Sequence, residues 1–146
     1  MTGCDTSFLH ALYLIDSHTP KARNRLQQVR HPEERIALSP FHLYELRNAV
    51  RLSAFRGLRE VADAESILEA FQTDLAHGRF ELPTCNLAIV LGEAERLSSV
   101  YTISGGYRAF DILHVAAALQ FGARDFLTFD AKQGKLALAA GLKPWP

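Results

Sequence analysis

The stretch DFLTFD at residues 125–130 has the pattern of a short buried strand that ends at a carboxylate, Asp130. A second acid, Asp5, follows a short stretch near the N-terminus. In a parallel sheet the carboxyl ends of the strands lie along one edge, and that edge is where ligands bind. We therefore expect Asp5 and Asp130 to lie close together, each at the end of a strand and the start of a helix.

Outward from these acids, short apolar segments alternate with longer helical patterns. The segment 3–7 is strand-like, and a helix after it carries Phe8, Leu9, Leu12 and Ile15 on one face. Further strands are predicted at 36–38 and 79–82, and further helices at about 21–30, 40–55, 60–77, 86–103, 108–120 and 131–140. This alternation predicts an α/β protein, a three-layer α/β/α sandwich with a short central parallel sheet, in a single domain over residues 1–146.

Composition places the chain among globular proteins. Apolar residues make up 48% and charged residues 22%, and the formal net charge is zero. No apolar run approaches the roughly 20 residues that a membrane span needs, and no signal peptide is visible. Cys4 and Cys85 are too few for a disulfide framework and have no zinc-ligand spacing. We expect a cytoplasmic protein with reduced thiols and no membrane partner.

The charges are unevenly distributed along the chain. Residues 21–59 hold nine Lys or Arg against three acids, a balance of +6, whereas residues 60–95 hold one Arg against eight acids, a balance of −7. These blocks are either surfaces of opposite sign or ordinary solvated helix faces, and only their arrangement in space decides between the two.

Four carboxylates depart from the local apolar pattern: Asp5, Glu45, Asp111 and Asp130. Each has a plain explanation when taken alone. Asp5 and Asp130 suit helix N-caps, Asp111 suits the first turn of a helix, and Glu45 suits solvent or a nearby arginine. Taken together, four such acids favour one shared site.

Four converging carboxylates repel one another unless a cation lies between them. Oxygen ligands without an adjacent Cys or an obligatory His suit Mg²⁺ or Mn²⁺ better than zinc. Such an ion acidifies a bound water and stabilises the leaving oxygen in phosphodiester hydrolysis. The acids therefore predict a magnesium or manganese site with hydrolytic chemistry.

At this point the sequence resembles the PIN-domain ribonucleases, and more narrowly the VapC-type toxins of toxin–antitoxin systems. The resemblance covers the whole chain and is carried by four motifs in order: DTSFL at residues 5–9, ELRNA at 45–49, DILHVAAAL at 111–119, and FLTFD at 126–130. Any one motif is weak, but four in this order within 146 residues are specific.

The resemblance implies a Mg²⁺-dependent endoribonuclease whose metal ligands and catalytic acids are Asp5, Glu45, Asp111 and Asp130. It also implies that Thr6, Ser7 and Thr128 orient these carboxylates or a metal-bound water. RNA would be the substrate, a small antitoxin a possible partner, and a homodimer the assembly. The last acid of the set, Asp130, is expected to matter least.

Several roles stay open at the level of sequence. His114 is one helical turn from Asp111 and is either a metal ligand or, as we favour, a packed or hydrogen-bonded histidine. Arg47, Arg51 and Arg108 either contact RNA phosphates or form surface ion pairs. The alternative functions are a catalytically silent binding module for RNA or protein, and a phosphohydrolase on a similar sheet.

Overall fold

The computed structural model describes residues 1–29 and 35–146. Within these ranges the chain forms three strands and seven helices, in the order β1 (Thr2–Cys4), α1 (Thr6–Tyr13), α2 (Thr19–Gln28), α3 (Pro40–Phe55), α4 (Val61–Ala76), α5 (Leu87–Gly105), α6 (Ala109–Gln120), β2 (Asp125–Leu127), α7 (Ala131–Ala139) and β3 (Lys143–Trp145). None of these helices has the length and apolar character that crossing a membrane requires.

The three strands form one parallel sheet in the order β1-β2-β3. Cys4 pairs with Leu127 at the end of β1 and β2, and Leu127 pairs with Trp145 on the other side. Beyond β1, single parallel bridges at 36–37 and at Glu81 extend the sheet. The strands therefore end along a common edge, as the sequence predicts for a parallel sheet.

Helices cover both faces of the sheet. Neighbouring side chains of a strand point to opposite faces, and in β2 Leu127 packs with Phe8, Leu46 and Phe71 while Phe126 packs on the other side. The first core is built mainly from α1, α3 and α4, and the second from α5, α6 and α7. This arrangement is the three-layer α/β/α sandwich that the sequence predicts.

Close contact between β1 and α6 depends on Gly3. A Cβ atom at this position would lie 2.6 Å from the Cβ of Ala118, closer than real carbon atoms approach. The glycine thus lets the apolar helix α6 pack directly on the first strand, which brings Asp5 and Asp111 to the same end of the fold.

Helix starts follow the capping residues of the sequence. The side chains of Asp5, Asn86 and Asp130 accept hydrogen bonds from backbone N–H groups in the first turns of α1, α5 and α7. Ser39 precedes α3, which has Pro40 at its first position. The local capping of Asp5 and Asp130 is therefore real, alongside any role in chemistry.

The structure corrects several boundaries. The first strand is Thr2–Cys4 rather than 3–7, and Ile15 lies beyond α1, 71% exposed. The predicted strands at 36–38 and 79–82 are reduced to single bridges, and the strand before Asp130 ends at Leu127. Lys143–Trp145 form a further strand, β3, which is not among the strands predicted above. The predicted end of the second helix, at about residue 30, lies outside the described residues.

Candidate active site

The two strand-end acids are joined through one hydroxyl. Thr128 Oγ1 donates to Asp5 Oδ2 at 2.6 Å and accepts from the backbone N–H of Asp130 at 3.0 Å. The parallel pairing of Cys4 with Leu127 places both acids at the same edge. The hydroxyl of Thr128 thus links the carboxylate of Asp5 to the backbone of Asp130.

Asp5 is almost fully buried, with 1% of its surface exposed. Its Oδ1 accepts from Ser7 Oγ at 2.6 Å and from the Phe8 N–H at 3.1 Å, in addition to the Thr128 bond on Oδ2. A carboxylate has about four lone-pair positions, so one of them, on Oδ2, is left for a further ligand. Burial raises the pKa of this carboxyl even though the hydroxyl and N–H donors act in the opposite direction.

Glu45, on α3, is held by side chains from two other helices. His114 Nε2 on α6 lies 2.6 Å from Glu45 Oε2, and Thr6 Oγ1 at the start of α1 donates to the same oxygen. Burial acts to raise the pKa of this carboxyl, but the bonds from His114 and Thr6 outweigh it and bring the pKa below its usual value. Glu45 is therefore set up to remain ionised.

His114 is 2% exposed and packs against the ring of His42, with 4.2 Å between ring centroids. It is a packed, hydrogen-bonded histidine that fixes Glu45, which agrees with the reading we favoured from the sequence. Thr6, expected to orient a carboxylate, contacts Glu45 rather than Asp5.

Asp111 lies in the first turn of α6, where it caps the helix and binds Arg108. The Arg108 Nε and Nη2 atoms lie 3.1 Å from Oδ2 and 3.3 Å from Oδ1, and the Arg108 backbone N–H also points to Oδ2 at 3.3 Å. Gln133 donates to the Asp111 carbonyl at 2.9 Å. The first-turn explanation of Asp111 is thus realised in the structure, together with an ion pair.

The charge of Arg108 interacts with more than one acid. Its hydrogen bonds to Asp111 raise its pKa, and the negative charges of Asp111, Asp130 and Glu45 contribute in the same direction. The charges of three of the four predicted acids therefore act on one cationic group, which contacts Asp111 and whose side chain remains 77% exposed.

A metal ion would need a closer arrangement of these ligands. Among residues 1–29 and 35–146, no group of three His, Cys, Asp or Glu side chains is positioned to hold an ion. The donor set nevertheless fits a hard divalent cation, because it consists of carboxylate oxygens and one position on Asp5 is left open.

Sequence reasoning missed His42. Its Nδ1 accepts the backbone N–H of Ser39 at 3.0 Å, so its Nε2 donates to the carbonyl of Cys4 at 2.9 Å. Burial, with the nearby His114, lowers its pKa well below the usual value and keeps the ring neutral. His42 thereby fixes the residue before Asp5. The signal in the sequence is a histidine three positions after the helix cap Ser39.

The fold and the acids at its sheet edge define the class of the protein. The PIN domain family matches residues 4–138, so this chain belongs to that family, and all four acids fall within the matched range. No curated protein sequence matches the chain.

Solved structures with the same fold come from several organisms. FitAcB from Neisseria gonorrhoeae is 21% identical with a TM-score of 0.72, covering 100% of this chain and 97% of the other. VapC20 from Mycobacterium tuberculosis, a toxin that cleaves the sarcin-ricin loop, is 20% identical with a TM-score of 0.68 and full coverage of both chains, 100% each. PAE2754 from Pyrobaculum aerophilum is 21% identical with a TM-score of 0.64, covering 98% and 87%. The resemblance to VapC-type proteins is confirmed at the level of the fold.

Proposed function

We propose that this chain is a metal-dependent endoribonuclease that hydrolyses RNA phosphodiester bonds, and that it is the toxin of a toxin–antitoxin pair. The observation that supports the proposal is the network around the acids. Thr128 bonds both the Asp5 carboxylate and the Asp130 N–H, Arg108 pairs with Asp111, and the charges of Asp130 and Glu45 also act on that guanidinium. Membership of the PIN family and the fold shared with VapC20 support RNA cleavage.

The proposed ligands of Mg²⁺ or Mn²⁺ are Asp5, Glu45, Asp111 and Asp130. When bound, such an ion supplies an acidified water and neutralises charge on the scissile phosphate. Other side chains of the site would hold these ligands in position. Ser7 and Thr128 hold Asp5 in one orientation, and this kind of outer support typically changes metal affinity or activity by about 10- to 100-fold.

Two residues would control the charges of the acids during turnover, His114 for Glu45 and Arg108 for Asp111. His114 stabilises the ionised form of Glu45, so this acid stays available as a negative ligand. Arg108 neutralises Asp111 before the substrate binds, and its exposed guanidinium is able to exchange that partner for an RNA phosphate. The exchange would leave Asp111 free as a ligand when the phosphate arrives.

The test is metal-dependent cleavage of RNA by the purified protein. We expect cleavage of unstructured or looped RNA in Mn²⁺ or Mg²⁺, loss of cleavage in a chelator, and recovery when the ion is returned. Equal cleavage with and without chelator would exclude the metal mechanism. Turnover of a small phosphomonoester without RNA cleavage would favour a phosphohydrolase instead.

A second candidate function is a catalytically silent PIN-fold module that binds RNA or protein. It is favoured by one observation, the lack of a preformed three-ligand group among the described residues. Calorimetric titration with Mn²⁺ separates the two functions. Binding that is lost in Asp5→Asn supports the enzyme, whereas RNA binding without metal binding supports the silent module.

We propose that the chain forms a homodimer, which is supported by exposed apolar side chains along α5, among them Ile89, Val100 and Ile103.

We also propose a cytoplasmic location, which is supported by the free thiols of Cys4 and Cys85. We also propose that residues 1–146 form one domain, because both core clusters pack on the same sheet. An antitoxin gene next to this one would support the toxin role.

A further inference from the structure

Three aromatic rings form a column that runs from the core to the surface beside the candidate site. The ring of Phe8 is buried and lies 6.2 Å from that of Phe129, with 15° between their planes. The ring of His18 lies 4.4 Å from Phe129 on a nearly parallel plane, at 13°. His18 is exposed, so the column ends at a ring on the protein surface.

Positive charge flanks the column. The indole of Trp145 packs edge-on against Phe8 and Phe129, with ring centroids 6.3 and 5.8 Å away. The ammonium group of Lys21 and the guanidinium of Arg25 lie over the Trp145 ring at 5.8 and 5.9 Å. A flat ring beside cationic side chains is the arrangement that proteins use to bind single-stranded nucleic acid.

The column is connected to the acids by short backbone contacts. The Phe129 N–H donates to Ser7 Oγ at 2.8 Å, and Ser7 in turn donates to Asp5. The Phe8 N–H donates to the same carboxylate at 3.1 Å. Phe129 also lies between Thr128 and Asp130 in sequence. A base stacked on His18 would therefore be linked, through Phe129, to the residues proposed to cleave the chain.

A structural role explains the inner part of the column but not its outer end. Phe8 and Phe129 pack with the core cluster, so their stacking is accounted for by burial. His18 is exposed and its backbone N–H bonds to Asp16, which holds the start of α2 without requiring the ring to lie flat on Phe129. The outer face of that ring is the feature that burial does not explain.

We propose that the exposed face of His18 stacks on an unpaired base of the RNA substrate, with Lys21 and Arg25 close to the adjoining phosphates. The inference rests on the proposed ribonuclease function and adds a base-binding position to it. Every base offers a flat face, so this position selects single-stranded or looped RNA rather than a particular sequence.

The experiment measures binding of a short unstructured RNA that carries one 2-aminopurine or one abasic nucleotide at each position in turn. Wild-type protein should quench 2-aminopurine at one position, and His18→Ala should remove this quenching and weaken binding by about tenfold, the loss typical of one stacked base. His18→Phe should restore both. His77→Ala, at another exposed histidine, is the matched control and should bind like the wild type.

The abasic series separates stacking from a general effect on the fold. At the stacked position, removing the base should make wild-type protein and His18→Ala bind equally well. An equal loss for His18→Ala at every position, or no loss at all, overturns the proposal. If the wild-type protein cleaves RNA while His18→Ala has an unchanged KM, only the base-binding position is wrong. If the wild type neither binds nor cleaves RNA, the ribonuclease function fails and this proposal fails with it.

Discussion

The two halves of the candidate site are held in different ways. In the strand half, which we define as Asp5, Ser7 and Thr128, a buried carboxylate is fixed by neutral hydroxyl and N–H donors. In the helix half, which we define as Glu45 and Asp111, carboxylates are paired with an imidazole and a guanidinium of the same chain. The strand half therefore lacks a cationic partner, whereas in the helix half Asp111 is paired with a guanidinium and Glu45 accepts hydrogen bonds from His114 and Thr6.

This difference has a consequence for how a metal would bind. Neutral donors orient Asp5 but leave its negative charge uncompensated in a buried place, which is unfavourable until a cation arrives. Asp111 has its charge compensated by Arg108, so a cation has to compete with that guanidinium. We infer that the strand half supplies the driving force for metal binding and that Arg108 opposes it.

The largest expected effect comes from removing the buried charge of the strand half. Asp5→Asn keeps the shape of the side chain but not its charge, so RNA cleavage should fall by more than about 100-fold, beyond the loss typical of residues that only support a ligand. The folded structure should persist, as judged by circular dichroism. Asp63→Asn, an exposed acid in the first turn of α4, is the control and should cleave normally. Normal cleavage by Asp5→Asn would show that RNA cleavage does not need the buried charge that distinguishes the strand half from the helix half.

The next effect comes from removing the hydroxyl that joins the two strand-end acids. Thr128→Val retains volume but leaves Asp5 Oδ2 without its donor, and the affinity for Mn²⁺ should fall by about 10- to 100-fold. Calorimetric titration gives this affinity directly. Thr102→Val on α5 removes a hydroxyl that bonds to Ser98, and it should leave metal binding unchanged. Equal affinities for Thr128→Val and wild type would mean that the strand half is not preorganised by this contact.

Removing the cation that pairs with the helix half should change the metal affinity less, and it should strengthen rather than weaken metal binding. Arg108→Ala removes the cation that pairs with Asp111, so Mn²⁺ should bind up to about fivefold more tightly, the scale of an exposed ion pair. The KM for RNA should rise in the same variant, because the proposed phosphate contact is lost. Arg96→Ala is a matched control, since Arg96 forms an exposed i,i+3 ion pair with Glu93 on α5. Weaker metal binding in Arg108→Ala would show that the guanidinium assists the ion.

Sequence reasoning recovered the parts of this molecule that depend on local chemistry. Asp5 and Asp130 are recognisable because each follows an apolar segment and begins a helix, and a parallel sheet brings such positions together. The helices are recognisable from apolar periodicity and from caps such as Ser39 and Asn86. The sequence does not distinguish an Asp5 or Asp130 that only caps its helix from one that also binds a metal, because the side chain caps the helix in both cases.

The parts that sequence missed depend on contacts between distant segments. β3 contains Pro144, which argues against a strand unless it lies at an edge with its nitrogen unpaired, and β3 is such an edge. The bond from His42 to the Cys4 carbonyl spans 38 residues. The column formed by Phe8, Phe129 and His18 likewise joins segments whose proximity only the folded sheet creates.

The smallest expected effect concerns stability rather than activity, and it tests the strand half without any substrate. Burial raises the pKa of Asp5 in the folded, metal-free protein above the value of about 3.9 expected when it is unfolded. Between these two values the folded state holds a proton that the unfolded state has lost. The free energy of unfolding should therefore fall as the pH rises from about 4 through the raised pKa, by about 1.4 kcal/mol for each unit of displacement.

Asp5→Asn has no such proton, so the decline should be absent from the variant, and the difference between the two pH profiles isolates Asp5 from every other titrating group. Urea unfolding in a chelator gives both profiles. Adding Mn²⁺ should then stabilise the wild type more strongly at higher pH, because the ion competes with the proton for the same carboxylate. Parallel profiles for wild type and Asp5→Asn would mean that the charge of Asp5 is already compensated without a metal, and the strand half would then resemble the helix half.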